Sequence, residues 1–154
     1  MTNWCDNTMI IRGKEKEVKK LLNMIRGDEE YIDFEKIIPI PPEITKDATE
    51  IDFKSWCMEN WEATGNATNS SLVVKHTRPF EEAEILFDTP IGCPMPILKK
   101  ISQMFPEMYI RIITTEPNMG WGVVLEYKYG KLQTSLYGNY DPFEGEKEDQ
   151  EEND

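Results

Sequence analysis

The chain has 154 residues and a formal net charge of −12, with 29 acidic and 17 basic residues and a single histidine, His76. This balance excludes a general attraction to the phosphate backbone, which dominates nucleic-acid affinity. One imidazole also leaves few ways to build a nucleophilic catalyst.

The sequence favours the cytoplasm as the compartment. Residues 1–6 show neither a basic leader nor an apolar signal core, and no run approaches the roughly 18 apolar residues of a membrane span. Cys5, Cys57 and Cys93 are odd in number and widely spaced, unlike a secreted disulfide framework. We therefore expect a reducing cytosol and no membrane partner.

The first half of the chain predicts a strand, a helix, an extended segment and a second helix. Residues 8–12 are β-prone, and residues 14–27 carry a helical pattern. Residues 31–42 contain three prolines and predict a short edge strand that runs into a loop. Residues 51–61 predict a helix preceded by a capping box at 49–52. The apolar stripes of the two helices are Val18, Leu21, Leu22, Ile25 and Phe53, Trp56, Cys57, Trp61.

The second half predicts a hairpin, a helix and three further strands. Residues 72–77 and 83–89 form the hairpin across Arg78-Pro79-Phe80, and residues 94–106 form a helix with prolines in its first turn. The last two strands turn at Gly130. The three final strands are predicted at residues 108–115, 121–129 and 131–137.

This order of elements predicts an α+β fold of the ferredoxin-like type. We expect an antiparallel sheet with helices on one face, an inserted helix and loop at about residues 28–70, and an added C-terminal β-hairpin. Residues 1–140 are predicted to form this single domain, followed by the segment 141–154.

Residues 141–154 form an acidic tail. They hold eight acidic residues and one lysine, a net charge of −7, and little apolar surface, so we expect disorder. The tail is interpreted either as a solubility device or as an arm that interacts with a partner. Its candidate partner-binding residues are Asp141, Glu144, Glu146, Glu148 and Asp149.

No constellation in the sequence predicts a catalytic, cofactor or metal site. His76 is interpreted as a packed or half-exposed strand residue, and the three cysteines lack the Cys-x-x-Cys spacing of a zinc knuckle. The run Glu81-Glu82-Glu84 is interpreted as solvated carboxylates on a polar turn. Gly120-Trp121-Gly122 lacks the strand-to-helix context of a dinucleotide-binding loop.

The tryptophans admit three interpretations: core packing, anchors for a protein partner, and stacking on nucleic-acid bases. The aromatic residues are not interleaved with lysine and arginine, which disfavours base stacking. If exposed, Trp61 and Trp121 are the first candidates for partner contact.

Several uncommon residue combinations recur in order along residues 3–138. They are Asn3-Trp4-Cys5-Asp6-Asn7, Phe-Glu-Lys-Ile-Ile-Pro-Ile-Pro at 34–41, Trp56-Cys57 with Asn60-Trp61, Phe87-x-Thr89-Pro90, Phe105-Pro106, and Glu116 with Gly120-Trp121-Gly122. Together they resemble the YubB-type ferredoxin-like family of small proteins carried by phages and plasmids. That family usually continues Gly-Thr-Lys after Asn-Trp, whereas this chain has Glu62-Ala63-Thr64. The resemblance implies a fold and a mobile-element origin, and no catalytic residues.

We therefore expect a small non-enzymatic protein of a phage or plasmid that binds a host protein. The partner would present a basic surface to an acidic one, as a nucleic-acid-handling or defence protein does. The alternative is a single-stranded nucleic-acid-binding module on the ferredoxin-like sheet. No cofactor is expected, and nucleic acid is the less favoured partner.

Overall fold

Six β-strands and four α-helices make up the computed structural model, which describes residues 2–46 and 48–139. In chain order the elements are β1 Trp4–Lys14, α1 Glu15–Ile25, a 3₁₀ turn Phe34–Lys36, α2 Pro42–Lys46, α3 Glu50–Trp61, β2 Thr68–Thr77, β3 Phe80–Pro90, α4 Met95–Met104, β4 Tyr109–Glu116, β5 Trp121–Lys128 and β6 Lys131–Asn139.

The strands form one sheet in the order β2-β3-β1-β4-β5-β6. Every neighbouring pair is antiparallel. The predicted α+β class with an antiparallel sheet is therefore confirmed.

One face of the sheet is buried and the other is open. Successive side chains of a strand point to opposite faces, and burial alternates accordingly along β1 and β3. Helix α1 contacts β1 and β3, and helix α4 contacts β4 and β5. The core residues that the two helices contribute are Val18, Leu21, Ile25, Ile97, Leu98 and Ile101.

The predicted edge strand within residues 31–42 is wrong, because this segment forms the 3₁₀ turn and the start of α2. The Asp33 side chain accepts a hydrogen bond from the Glu35 backbone N–H at 3.0 Å and caps the turn. The turn buries the Phe34 ring in the core. The segment therefore adopts the turn that places the Phe34 ring in the core.

The helices and strands predicted outside this segment correspond to observed elements. The predicted helices correspond to α1, α3 and α4, and the Thr49 capping box is present with the Asp52 backbone N–H donating to Thr49 Oγ1 at 3.2 Å. The predicted pairing of residues 72–77 with 83–89 is confirmed by the register of β2 and β3. None of the helices within the described residues combines the length and apolar character needed to cross a membrane.

Candidate functional site

The negative charge of the folded part is concentrated between α1 and β2. Residues 28–70 hold eleven acidic and three basic residues, a net charge of −8. The rest of residues 1–140 carries a net charge of +3. The acidic surface anticipated from composition therefore belongs to this segment, which we call the acidic insertion.

A groove of about 430 Å³ lies between the two helices of the acidic insertion, α2 and α3. Helix α3 brings Asp52, Trp56 and Glu59 to one side because residues four and seven positions apart share a helix face. Helix α2 supplies Glu43 and Ile44 opposite them. The complete lining is Glu43, Ile44, Ala48, Asp52, Ser55, Trp56 and Glu59.

Trp56 in the groove is supported from behind by Trp61. The two indole rings pack edge to face with centroids 5.4 Å apart. Trp61 packs in the same way against Phe34 at 5.5 Å, and its Nε1 donates a hydrogen bond to the Ile38 carbonyl oxygen at 3.0 Å. These contacts fix the position of the Trp56 ring and do not involve the side of the ring that faces the groove.

Trp61 is completely buried, so the expectation that it contacts a partner is corrected. Its place at +8 in the helical stripe indicates an inward side chain. Only its exposed fraction in the structure, however, distinguishes a core residue from a residue that contacts a partner. Trp56, which was not among the first candidates for partner contact, is the partly exposed residue of the pair.

Two apolar side chains extend the groove on the outer face of α3. Ile51 is 77% exposed and Met58 is 42% exposed. They are seven residues apart and therefore share one face of the helix. They add exposed apolar area beside the carboxylates of the groove.

Helix α3 ends in a conformation that ordinarily belongs to glycine. Glu62 has φ 59° and ψ 24°, and its backbone N–H donates to the Met58 carbonyl oxygen at 3.1 Å. The carbonyl oxygen of Glu62 lies close to Gly92 of the same chain, and a Cβ at position 92 would overlap it. Glycine is the residue that adopts this left-handed cap at least cost.

Replacing Glu62 by glycine is expected to raise the free energy of unfolding by about 0.5–1 kcal/mol. The gain comes from removing the left-handed strain of a residue with a Cβ, partly offset by the larger backbone entropy of glycine in the unfolded chain. Urea denaturation measures the change. Glu62→Ala removes the charge but retains the strain, so a matching gain in that variant would contradict the explanation.

Trp121, the second tryptophan predicted to contact a partner, is partly buried at the start of β5. Its ring stacks on Tyr137 of β6 with centroids 6.2 Å apart. It lies outside the acidic insertion. The tail candidates Asp141, Glu144, Glu146, Glu148 and Asp149 lie outside the described residues.

The aromatic residues that the open face of the sheet presents, Trp4, Phe80 and Tyr109, begin their strands and lie away from the sheet centre. At the centre of this face β1 presents Asp6 and Thr8, and β3 presents Leu86 and Asp88. Partial burial, together with the negative charge of Asp88, raises the pKa of Asp6 above its usual value. Carboxylates in this position repel a phosphate backbone.

All three cysteines are free and buried. Burial raises the pKa of Cys5 to about 12 and the pKa of Cys57 and Cys93 to about 11. At neutral pH these thiols are protonated, and protonated thiols are poor nucleophiles and poor metal ligands.

His76 lies on β2 directly opposite Glu81 of β3. The interpretation of Glu81 as a solvated turn residue is wrong, because β3 begins at Phe80 and alternation turns Glu81 to the buried face with Ala83 and Ile85. Its carboxylate lies 2.7 Å from Nδ1 of His76.

Comparison with known proteins gives one structural similarity. No protein-family model matches the chain, and no curated protein matches it. The crystal structure of the protein Api92 from Yersinia pseudotuberculosis, of the family DUF1281, is similar with a TM-score of 0.51 and 20% sequence identity. The match covers 72% of this chain and 41% of that protein, so the matched region spans less than half of the length of Api92. At this identity the similarity shows the fold alone.

Proposed function

We propose that this protein is a small, non-enzymatic binding protein of a phage or plasmid, and that its acidic insertion binds a basic surface of a host protein. The observation that carries the proposal is the groove between α2 and α3, where Glu43, Asp52 and Glu59 surround Trp56. A nucleic-acid-handling or defence protein has a surface of the required charge.

The groove suits a lysine or arginine side chain of the partner. Carboxylates on both sides attract the cation, and the face of an indole ring adds a cation–π attraction of about 0.5–2 kcal/mol. Ile51 and Met58 then supply apolar contact area next to the charged site. The charges steer the approach, whereas the apolar contacts slow dissociation.

The order of the elements supports a ferredoxin-like fold as part of this proposal. Strands β2-β3-β1-β4 occupy adjacent positions, with α1 following β1 and α4 following β3. Strands β5 and β6 then correspond to the added hairpin, and the acidic insertion lies between α1 and β2. Together with the recurring residue combinations, this arrangement supports membership of the YubB-type family.

Binding of single-stranded nucleic acid is the less favoured function. Trp56 and Trp61 belong to the helical insertion, and the sheet centre presents Asp6 and Asp88. A strand of nucleic acid would meet like charge where base-stacking proteins place aromatic and basic side chains.

Reversal of two groove charges tests the proposed site. The full chain is immobilised and titrated with a short peptide of alternating arginine and leucine, at low and at high salt. The double variant Glu43→Lys/Glu59→Lys is expected to bind at least about 10-fold more weakly at low salt, equivalent to about 1.4 kcal/mol. Trp56→Leu should weaken binding at both salt concentrations, because the cation–π contact and ring surface are lost.

A matched control separates the groove from net charge. Glu17→Lys/Glu107→Lys makes the same charge change at two positions that lie outside the acidic insertion and do not line the groove. It should bind like the unaltered protein within a few-fold. If both double variants weaken peptide binding equally, the overall net charge explains the effect and the groove does not. In capture from host lysate, a partner retained by the control but lost with the groove variant would support the site.

Deletion of residues 141–154 tests the role predicted for the tail. Its net charge of −7 should speed association with a basic partner. Without it, the association rate constant is expected to fall strongly at low salt and weakly at high salt, with little change in dissociation. Stopped-flow mixing with the same arginine-leucine peptide measures both rates. Equal association rates at low salt would leave the tail as a solubility device.

A further inference from the structure

Three potential metal ligands from different parts of the chain converge at one end of the sheet. They are a carboxylate oxygen of Glu15, a ring nitrogen of His76 and a carboxylate oxygen of Glu81, and all lie within 4.8 Å of one another. The antiparallel register places His76 opposite Glu81. The backbone N–H of Glu15 donates to the Pro79 carbonyl oxygen at 3.4 Å, which brings the start of α1 to the turn between β2 and β3.

Glu81 is the unusual member of the group. Its side chain is only 1% exposed, and its Oε1 forms no hydrogen bond. This oxygen lies 2.7 Å from His76 Nδ1, which satisfies the distance of an ion pair but not the geometry of a hydrogen bond. A buried carboxylate without a hydrogen-bond donor is costly unless a cation compensates it.

We propose that Glu15, His76 and Glu81 bind a zinc ion. Imidazole nitrogen together with carboxylate oxygen is a donor set that zinc accepts, whereas calcium and magnesium prefer oxygen ligands alone. Three protein ligands leave the fourth tetrahedral position for water. Glu81 is held rigidly by burial, and the more exposed side chains of Glu15 and His76 rotate to close the site to bonding distance.

Lys19 competes for one of the ligands. Its Nζ lies 2.9 Å from Oε1 of Glu15 and donates a hydrogen bond to this oxygen. Zinc must displace the ammonium group from this oxygen. A variant without the lysine charge should therefore bind zinc more tightly.

Zinc titration of the untagged full chain, monitored by calorimetry, tests the site. An excess of calcium occupies unselective carboxylate sites, including any in the acidic tail. One zinc ion per chain is expected. Loss of an outer-shell partner of a metal site costs 10- to 100-fold, so removal of a direct ligand in His76→Ala or Glu81→Gln should weaken binding by at least about 100-fold.

Two lysine variants complete the test. Lys19→Met should strengthen zinc binding several-fold, whereas Lys54→Met, which removes the equivalent 2.9 Å pair with Glu50 on α3, should leave it unchanged. Circular dichroism checks that each variant folds. If Glu81→Gln does not fold, the exposed His76 and Lys19 variants carry the test.

Three results would overturn the proposal. The first is the absence of zinc binding in the presence of calcium, which would leave His76 and Glu81 as an ion pair only. The second is binding that His76→Ala does not weaken. The third is a thiolate-to-metal charge-transfer band in the cobalt-substituted protein, which would assign the metal to the cysteines instead.

Discussion

Replacement of Trp61 by alanine is expected to lower the free energy of unfolding by about 3–5 kcal/mol, the range for large aromatic residues removed from a core. Trp61 is fully buried and packs edge to face against Phe34 and Trp56. Its loss would leave a cavity and deprive the Ile38 carbonyl oxygen of the indole N–H. Urea denaturation followed by circular dichroism measures the change.

Trp56→Ala provides the matched comparison. Trp56 is the same residue type on the same helix, but it is partly exposed, so we expect a smaller loss of stability. In the peptide titration the order is reversed. Trp56→Ala should weaken binding more than Trp61→Ala, because Trp56 lines the groove. A stable Trp61→Ala protein that loses peptide binding would contradict the core assignment and restore Trp61 as a contact residue.

Replacement of Asn7 by leucine, a residue of similar size, is expected to cost about 2–4 kcal/mol. Asn7 is buried in β1 and joins both neighbouring strands through its amide group. Its Nδ2 donates to Thr89 Oγ1 at 2.9 Å and to the Phe87 carbonyl oxygen at 3.2 Å. Its Oδ1 accepts from Thr114 Oγ1 at 2.7 Å. Leucine leaves these buried polar groups without their partner.

Asp6→Asn is the control on the adjacent residue of the same strand. Asp6 lies on the open face, and its raised pKa means that the folded state disfavours its charge. Stability contributed by the protonated form is present at low pH and is lost as pH rises through the pKa of the folded state. At neutral pH the substitution should therefore be neutral or slightly stabilising. A double-mutant cycle of Asn7→Leu with Thr114→Val should show a coupling energy, and strict additivity would contradict the network.

These contacts give a structural role to one of the uncommon residue combinations in the sequence. Asn7 closes the motif Asn3-Trp4-Cys5-Asp6-Asn7 and joins β1 to β3 and β4, while Thr89 passes the network on to the Gly92 carbonyl oxygen at 2.8 Å. Glu62, which follows Asn60-Trp61, has a left-handed φ at the end of α3. The structure gives both positions a role in maintaining the fold.

Local periodicity was sufficient to predict three helices and the pairing of β2 with β3. Helices α1 and α4 bury the stripes that their spacing indicated. Apolar side chains that repeat every 3.6 residues form one face of a helix, and that face is stable when it packs against the sheet. The prediction failed at residues 31–42, where Phe34 lies buried in a 3₁₀ turn and Pro42 begins α2 in place of an edge strand. It failed again at Glu81, since a run of carboxylates resembles a polar turn until the start of the strand is known.

The sequence by itself determined the α+β class, most of the helices and the excess of acidic residues, and it contains no known catalytic motif. Each of these depends on composition or on neighbours within a few residues. Only the tertiary structure decided which tryptophan is buried and which carboxylates meet. Glu43 and Glu59 face one groove, and Glu15, His76 and Glu81 share one corner, although each set is widely spaced along the chain. Their proximity depends on helix packing and strand register, which arise from the burial of the whole core.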